Sequence, residues 1–167
     1  MDDHVDFVVA QWQAAMPELD ASTMLVFGRM SRLMKHLEKM RADALMTFGF
    51  KEGEFDVLAT LRRSGQPYRL SPTQLYRSLM VTSGAMTNRL MRLESAGLIA
   101  RVPDPHDGRS QHVGLTAQGL ALIESAVGVH TQIQDVALGA LAPEQRAQLA
   151  ELLKQVMLSL PGEVVPS

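Results

Sequence analysis

The stretch from Ser71 to Thr116 constrains this chain more than any other; it reads SPTQLYRSLMVTSGAMTNRLMRLESAGLIARVPDPHDGRSQHVGLT. Ser71-Pro72-Thr73-Gln74 is a helix start, with a hydroxyl N-cap, proline at the first helical position and glutamine placed to close a capping box. A second helical run begins at Thr82-Ser83 and ends near Ala96-Gly97, where glycine suits a left-handed C-cap. Two short extended runs follow, 98–102 and 111–115, joined by the loop PDPHDGRS. Helix, tight turn, helix and a hairpin with a polar tip is the layout of a winged helix-turn-helix. Its second helix would enter a DNA groove.

The rest of the chain supplies helices to support that unit. Val5, Val8, Val9, Trp12, Ala15 and Met16 recur at helical spacing until Pro17 stops the run. A long helix is expected over about 23–48, capped by Asp20 or Ser22, with an apolar stripe that includes Leu25, Leu33, Leu37 and Leu45. A further helix runs over about 52–64, with Glu52 and Glu54 at its positive end and Arg62 and Arg63 at its negative end, as the macrodipole favours. Its core face is Phe55, Leu58 and Leu61, and Gly65-Gln66-Pro67 forms the loop leading to Ser71. After the hairpin, Thr116 caps a helix to about 138, and Pro143 starts a last one to about 160. The expected fold is therefore mainly α. Residues 1–50 would form N-terminal helices for dimerisation and a ligand pocket, 51–116 the winged helix-turn-helix, and 117–167 C-terminal dimerisation helices. The outer helices carry more apolar surface than a small domain between them can cover, and their simplest use is a homodimer interface.

Charge sharpens the picture. Between Arg62 and His112 there are eight arginines, no lysine and three acids, a formal +5; the remainder has eight basic and fifteen acidic residues, or −7. An arginine-rich centre between acidic ends fits one face that meets phosphate, although a merely solvated basic face has the same composition. The chain has no cysteine, which excludes disulfides, thiolate sensors and cysteine zinc sites. No apolar run nears the roughly 20 residues that span a bilayer. The acidic opening MDDHVDFVVAQ lacks the basic region of a secretory signal, so no membrane association and a cytoplasmic location are expected. An enzyme is not expected either: there is no Cys nucleophile, no G-x-S-x-G and no phosphate loop, and nothing calls for a cofactor. His106, Asp107 and His112 flank the wing without a matching ligand cluster, so no metal site is assigned. The methionines are expected mostly on core faces, Met91 being the exception.

The runs EFDVLATLRRSG and LSPTQLYRSLMVTSGAMTNRLMRLESAGLIARVPDPHDGRSQHVGLTAQG resemble the MarR family of bacterial winged-helix transcription regulators. The most specific portion is R-x-x-D-x-x-D-x-R-x-x-x-x-x-L-T, carried by Arg101, Asp104, Asp107, Arg109, Leu115 and Thr116. The likeness covers about 20–160. It implies dimers whose terminal helices interlock and whose wings straddle double-stranded DNA, usually as repressors relieved by a ligand. It also implies that Asp107 steadies the wing.

The residues themselves assign roles within that frame. With about 100° per residue, Met86, Leu90 and Leu93 share the buried side of the second helix. Gly84, Thr87, Asn88 and Met91 face the other way, towards a major groove in which Asn pairs with adenine and Thr touches a thymine methyl. Ser71, Thr73, Thr82, Ser83 and Arg92 are placed for phosphate, and Arg109 at the wing tip suits a narrow minor groove. The alternative for Thr87 and Asn88 is a solvated helix face. A two-fold dimer would prefer an inverted-repeat operator with half-sites about 10 bp apart.

Arg89 falls at the edge of the buried side, where a guanidinium needs a carboxylate or an anionic ligand, and Asp56 beside Phe55 is a candidate partner. Trp12, Asp56, Arg89 and Arg101, in that order and with an extra N-terminal helix, are similar to a MarR subgroup that responds to urate and related anions. That resemblance implies Trp12 and Arg89 holding an aromatic or purine-like anion, with Asp56 and Arg101 forming the charge pair the ligand disturbs. The four residues serving only as core anchor and structural ion pairs is the other possibility. A winged helix that binds protein and never specific DNA is the remaining rival.

Overall fold

The computed structural model describes residues 1–79, 83–103 and 111–161, and the backbone alone of Ser83. Helix α1 spans His4–Ala15, α2 Ser22–Met46 and α3 Glu54–Arg63; strand β1 covers Arg69–Leu70. Then come α4 (Pro72–Leu79), α5 (Ser83–Ser95), β2 (Ile99–Pro103), β3 (Gln111–Leu115), α6 (Ala117–Ala137) and α7 (Pro143–Ser159). The molecule is mainly helical with a small antiparallel sheet of order β1-β3-β2.

Local chemistry sets the boundaries. At the start of α4 the Ser71 N–H donates to Gln74 Oε1 (2.8 Å) and the Gln74 N–H to Ser71 Oγ (3.2 Å), the reciprocal capping box expected from the sequence. Helix α5 ends in a Schellman turn: Leu98 N–H reaches Leu93 O (3.0 Å) and Gly97 N–H reaches Glu94 O (2.9 Å). That turn needs Gly97 at φ +70°, a conformation that a side chain would strain. Thr116 Oγ1 caps α6 by accepting from Gly119 N–H (3.0 Å). The Asp20 carboxylate accepts from Ser22 N–H (2.9 Å) before α2, and Asp3 with Asp6 forms a capping box before α1.

The sheet has one strand more than expected. Arg69 and Leu70 pair with Gly114 and Val113 of β3, while β2 pairs with β3 from Ile99 opposite Leu115 to Pro103 opposite Gln111. Two residues are too few to show a period-2 pattern, and β1 is a strand only because β3 offers an edge to it.

One core holds the winged unit together. Val57, Leu58, Leu61, Leu75, Met86, Leu93, Val113 and Ile123 have 2% exposure or less, and they come from α3, α4, α5, β3 and α6. Burying a Leu of this kind contributes about 1.5–3 kcal/mol. A separate small cluster, Val5, Val9 and Ala21, joins α1 to the first turns of α2. The long α2 buries Leu45 alone, and α7 buries no residue. Met34, Met40, Met46 and Met157 are exposed in the single chain, so the expectation that the methionines mostly fill core faces does not hold there; Met91 is exposed as expected, and Met86 is the buried methionine among the described residues.

Candidate nucleic-acid interface

Helix α5 divides its residues as its wheel demands. Met86, Leu90 and Leu93 are buried at 0%, 3% and 1% exposure, and this anchors the helix against α3. Gly84, Thr87 and Asn88 are exposed on the opposite side, together with Met91 at 50%. Spacing of three and four residues lines these up on one face of the helix. Thr73 near the start of α4 is exposed, and half-buried Ser71 accepts the Gln74 N–H. Its O–H proton stays available for a phosphate oxygen. Thr82, Asp107 and Arg109 lie outside the described residues, as does the side chain of Ser83.

Arg92 departs from its expected setting. Its Nε donates to Glu54 Oε1 at 2.6 Å, and Glu54 is buried to 9% side-chain exposure. The other Glu54 oxygen accepts from the Lys51 N–H (2.9 Å), so one carboxylate ties the approach to α3 and helix α5 together. Sequence reasoning placed Glu54 at the positive end of a helix and did not see that it faces Arg92. Thirty-eight residues separate them, and only the packing of α3 against α5 brings them together.

The four residues read as an anion sensor are not assembled as expected. Asp56 Oδ1 takes its bond from Arg41 Nη2 (2.7 Å), and Arg101 Nε donates to Glu94 Oε2 (3.2 Å), so the expected Asp56–Arg101 pair is corrected. The reason is the Schellman turn: it folds β2 back beside the last turn of α5 and brings Arg101 to Glu94. Trp12, 42% exposed on α1, is not a wall of the cavity that contains Asp56 and Arg89. That cavity, about 310 Å³, lies where α3, α4 and α5 meet, and Thr60, Arg63 and Ser78 complete its polar lining. Arg63 donates to Thr60 Oγ1 at 3.3 Å. The Arg89 guanidinium lies against Gly53, where any Cβ would collide with it, and Gly53 itself has φ +75°. Arg63 and Ser78 were not anticipated; a basic residue at a helix C-terminus reads as a dipole partner, and nothing local marks it as a cavity wall.

Behind the cavity, Arg41, Phe55, Asp56 and His130 tie α2, α3 and α6 together. The Phe55 and His130 rings are 5.1 Å apart, and Arg41 sits over Phe55 at 5.5 Å. Burial, and then the positive charge of Arg41, hold the His130 imidazole below its ordinary pKa, with Asp56 opposing. Among the described residues no group of three His, Asp or Glu could hold a metal, and no helix is long and apolar enough to cross a membrane.

A helix-turn-helix whose second helix exposes Thr87 and Asn88, flanked by a two-stranded wing base, is built for duplex DNA, and comparison with known proteins agrees. The MarR family model matches residues 48–110. Over 152 residues the chain is 38% identical to the HTH-type transcriptional regulator PecS of Dickeya dadantii, covering 91% of this chain and 92% of that one. The chain belongs to the MarR family. A MarR family regulator from Streptomyces coelicolor, solved in complex with DNA, superposes with a TM-score of 0.73 at 26% identity, covering 87% of this chain and 91% of that one. Bordetella bronchiseptica BpsR, whose DNA binding is regulated by 6-hydroxynicotinic acid, gives a TM-score of 0.66 at 25% identity over 78% of this chain and 91% of its own. The relatives are transcriptional regulators rather than enzymes, and this MarR protein is a DNA-binding transcriptional regulator.

Proposed function

We propose that this MarR protein is a cytoplasmic homodimeric repressor that grips an inverted-repeat operator and lets go when a small aromatic or purine-like anion, urate among the candidates, enters the cavity between α3, α4 and α5. The observation that carries the ligand reading is that cavity: Arg63 and Arg89 line it with Thr60 and Ser78, against the single carboxylate of Asp56. Asp56 is already engaged by Arg41, and Arg89 has no ion pair among the described residues. Two guanidiniums with hydroxyl donors at about 310 Å³ suit a small planar anion. Arg89 stands on α5 itself. An anion drawing Arg89 inward would therefore shift the helix that carries Thr87 and Asn88, while α4 would feel the same ligand through Ser78.

The dimer reading is supported by α7, none of whose residues is buried and whose Leu152 and Val156 stand exposed one turn apart. Phe7 and Phe27 add exposed apolar surface on α1 and α2. Exposed large apolar side chains in this number suit a covering partner. The small aromatic acid that regulates DNA binding by BpsR agrees with the ligand reading.

Calorimetry of the purified protein with urate, other purines, phenolic acids and 6-hydroxynicotinic acid tests the cavity. One of them is expected to bind and to weaken operator retention in a mobility-shift assay, and Arg89→Ala or Arg63→Ala should abolish the binding. Binding indifferent to both substitutions, or by none of these compounds, leaves a winged-helix regulator without an anion site.

A further inference from the structure

Glu54 is one of two buried polar residues among those described, the other being Thr60. A carboxylate in such a place has to be matched on both oxygens or it destabilises the fold. The Lys51 N–H matches Oε2 and the Arg92 guanidinium matches Oε1, at 2.6 Å. The two partners differ in kind. Lys51 belongs to the approach to α3, whose neighbours Phe55, Val57 and Leu58 are fixed in the core. Arg92 belongs to α5, one residue after Met91, so the bond ties the DNA-facing helix to the most deeply buried helix of the domain.

The apolar contacts of α5 set how deep it sits. They set its rotation less well, because Met86 is a flexible side chain that tolerates small shifts. A short charged bond 100° around the helix from Met91 supplies the missing constraint. A cleft of about 520 Å³ between Gly49, Lys51 and the Asn88, Met91 and Arg92 side of α5 leaves room for the helix to roll if that bond is lost. We propose that Glu54 is a positioning residue for DNA recognition: through Arg92 it fixes the rotation of α5, and Arg92 serves this brace rather than the DNA phosphates. The proposal rests on α5 being the sequence reader.

The full-length protein is used first to select a preferred duplex from a random pool. Glu54→Gln, Arg92→Gln and the double variant are then titrated with that duplex and with a scrambled one, over a range of salt. A brace predicts that each single variant loses about tenfold on the selected duplex, the scale of one misplaced base contact, and stays within about twofold on the scrambled one. The double variant should be no worse than the singles, and the salt slope should match the parent's. A phosphate contact predicts the reverse: Arg92→Gln weakens both duplexes and lowers the salt slope by about 0.9 per phosphate lost, while Glu54→Gln does nothing. That result overturns the proposal, as does an equal loss on both duplexes that tracks a fall in folded fraction in parallel melts, or no loss at all. A parent protein that enriches no sequence overturns the reading of α5 itself, a failure distinct from the others.

Discussion

The winged unit and the terminal helices are made from similar amino acids and end in opposite conditions. From α3 to β3 the apolar residues close on one another, with Leu58, Leu61, Leu75 and Met86 sealed from water. In α2 and α7 comparable residues, Leu33, Met34, Leu152 and Val156, stand 41–53% exposed. The difference lies in connection and not in composition. Short links let α3, α4, α5 and the sheet fold back on each other, whereas α2 and α7 are long and reach beyond the unit they flank. One region completes its own core; the other leaves its apolar residues uncovered in the single chain, as the proposed dimer requires.

Leu58→Ala removes a side chain with no exposure and should cost about 2–5 kcal/mol, read as a fall in the urea midpoint; a loss under about 1 kcal/mol would mean that the winged core is not the stable unit. The paired change Leu152→Glu and Val156→Glu, on the exposed row of α7, is expected to shift sedimentation from dimer to monomer. The helical circular dichroism of the winged unit should survive. A monomeric parent, or a variant that unfolds outright, would show that α7 is not a separate surface from the winged core.

The smallest effect concerns the cluster at which the two regions meet. The folded-state pKa of His130 lies below its ordinary value of 6.5, so below that pH the unfolded chain holds more protons than the folded one. Stability from this residue is complete above about 6.5 and declines as the pH falls through the ordinary value towards the depressed one. Denaturant midpoints between pH 7.5 and 5 should therefore fall less steeply in His130→Gln than in the parent; identical slopes would show that the ring is not held neutral by burial and Arg41.

Much of this was legible in the residues. Ser71 with Gln74, Gly97 and Thr116 announce their structures because a cap or a left-handed turn is a local event, decided within four or five residues. The inward side of α5 was legible for a similar reason, since a helix of known period converts spacing into direction. Partners were not legible. Arg101 lies beside Glu94 and Asp56 beside Arg41, while a reading by resemblance joined Asp56 to Arg101. The choice depends on which way β2 leaves a turn and how α2 crosses α3. The same holds for Arg92, whose spacing offers it to phosphate and whose fold gives it to Glu54.

The residues alone set the order of the helices and the hairpin, the caps at Ser71, Gly97 and Thr116, the exposed face of Thr87 and Asn88, and a family motif dense enough to name. Those properties follow from short-range sterics and hydrogen bonding. Only the tertiary structure decided the two-residue strand β1, the walls of the cavity around Arg63 and Arg89, and the bond between Glu54 and Arg92. Each of these needs two segments far apart in the chain to meet, and charge and hydrogen-bond geometry act only once packing has brought them within a few ångströms.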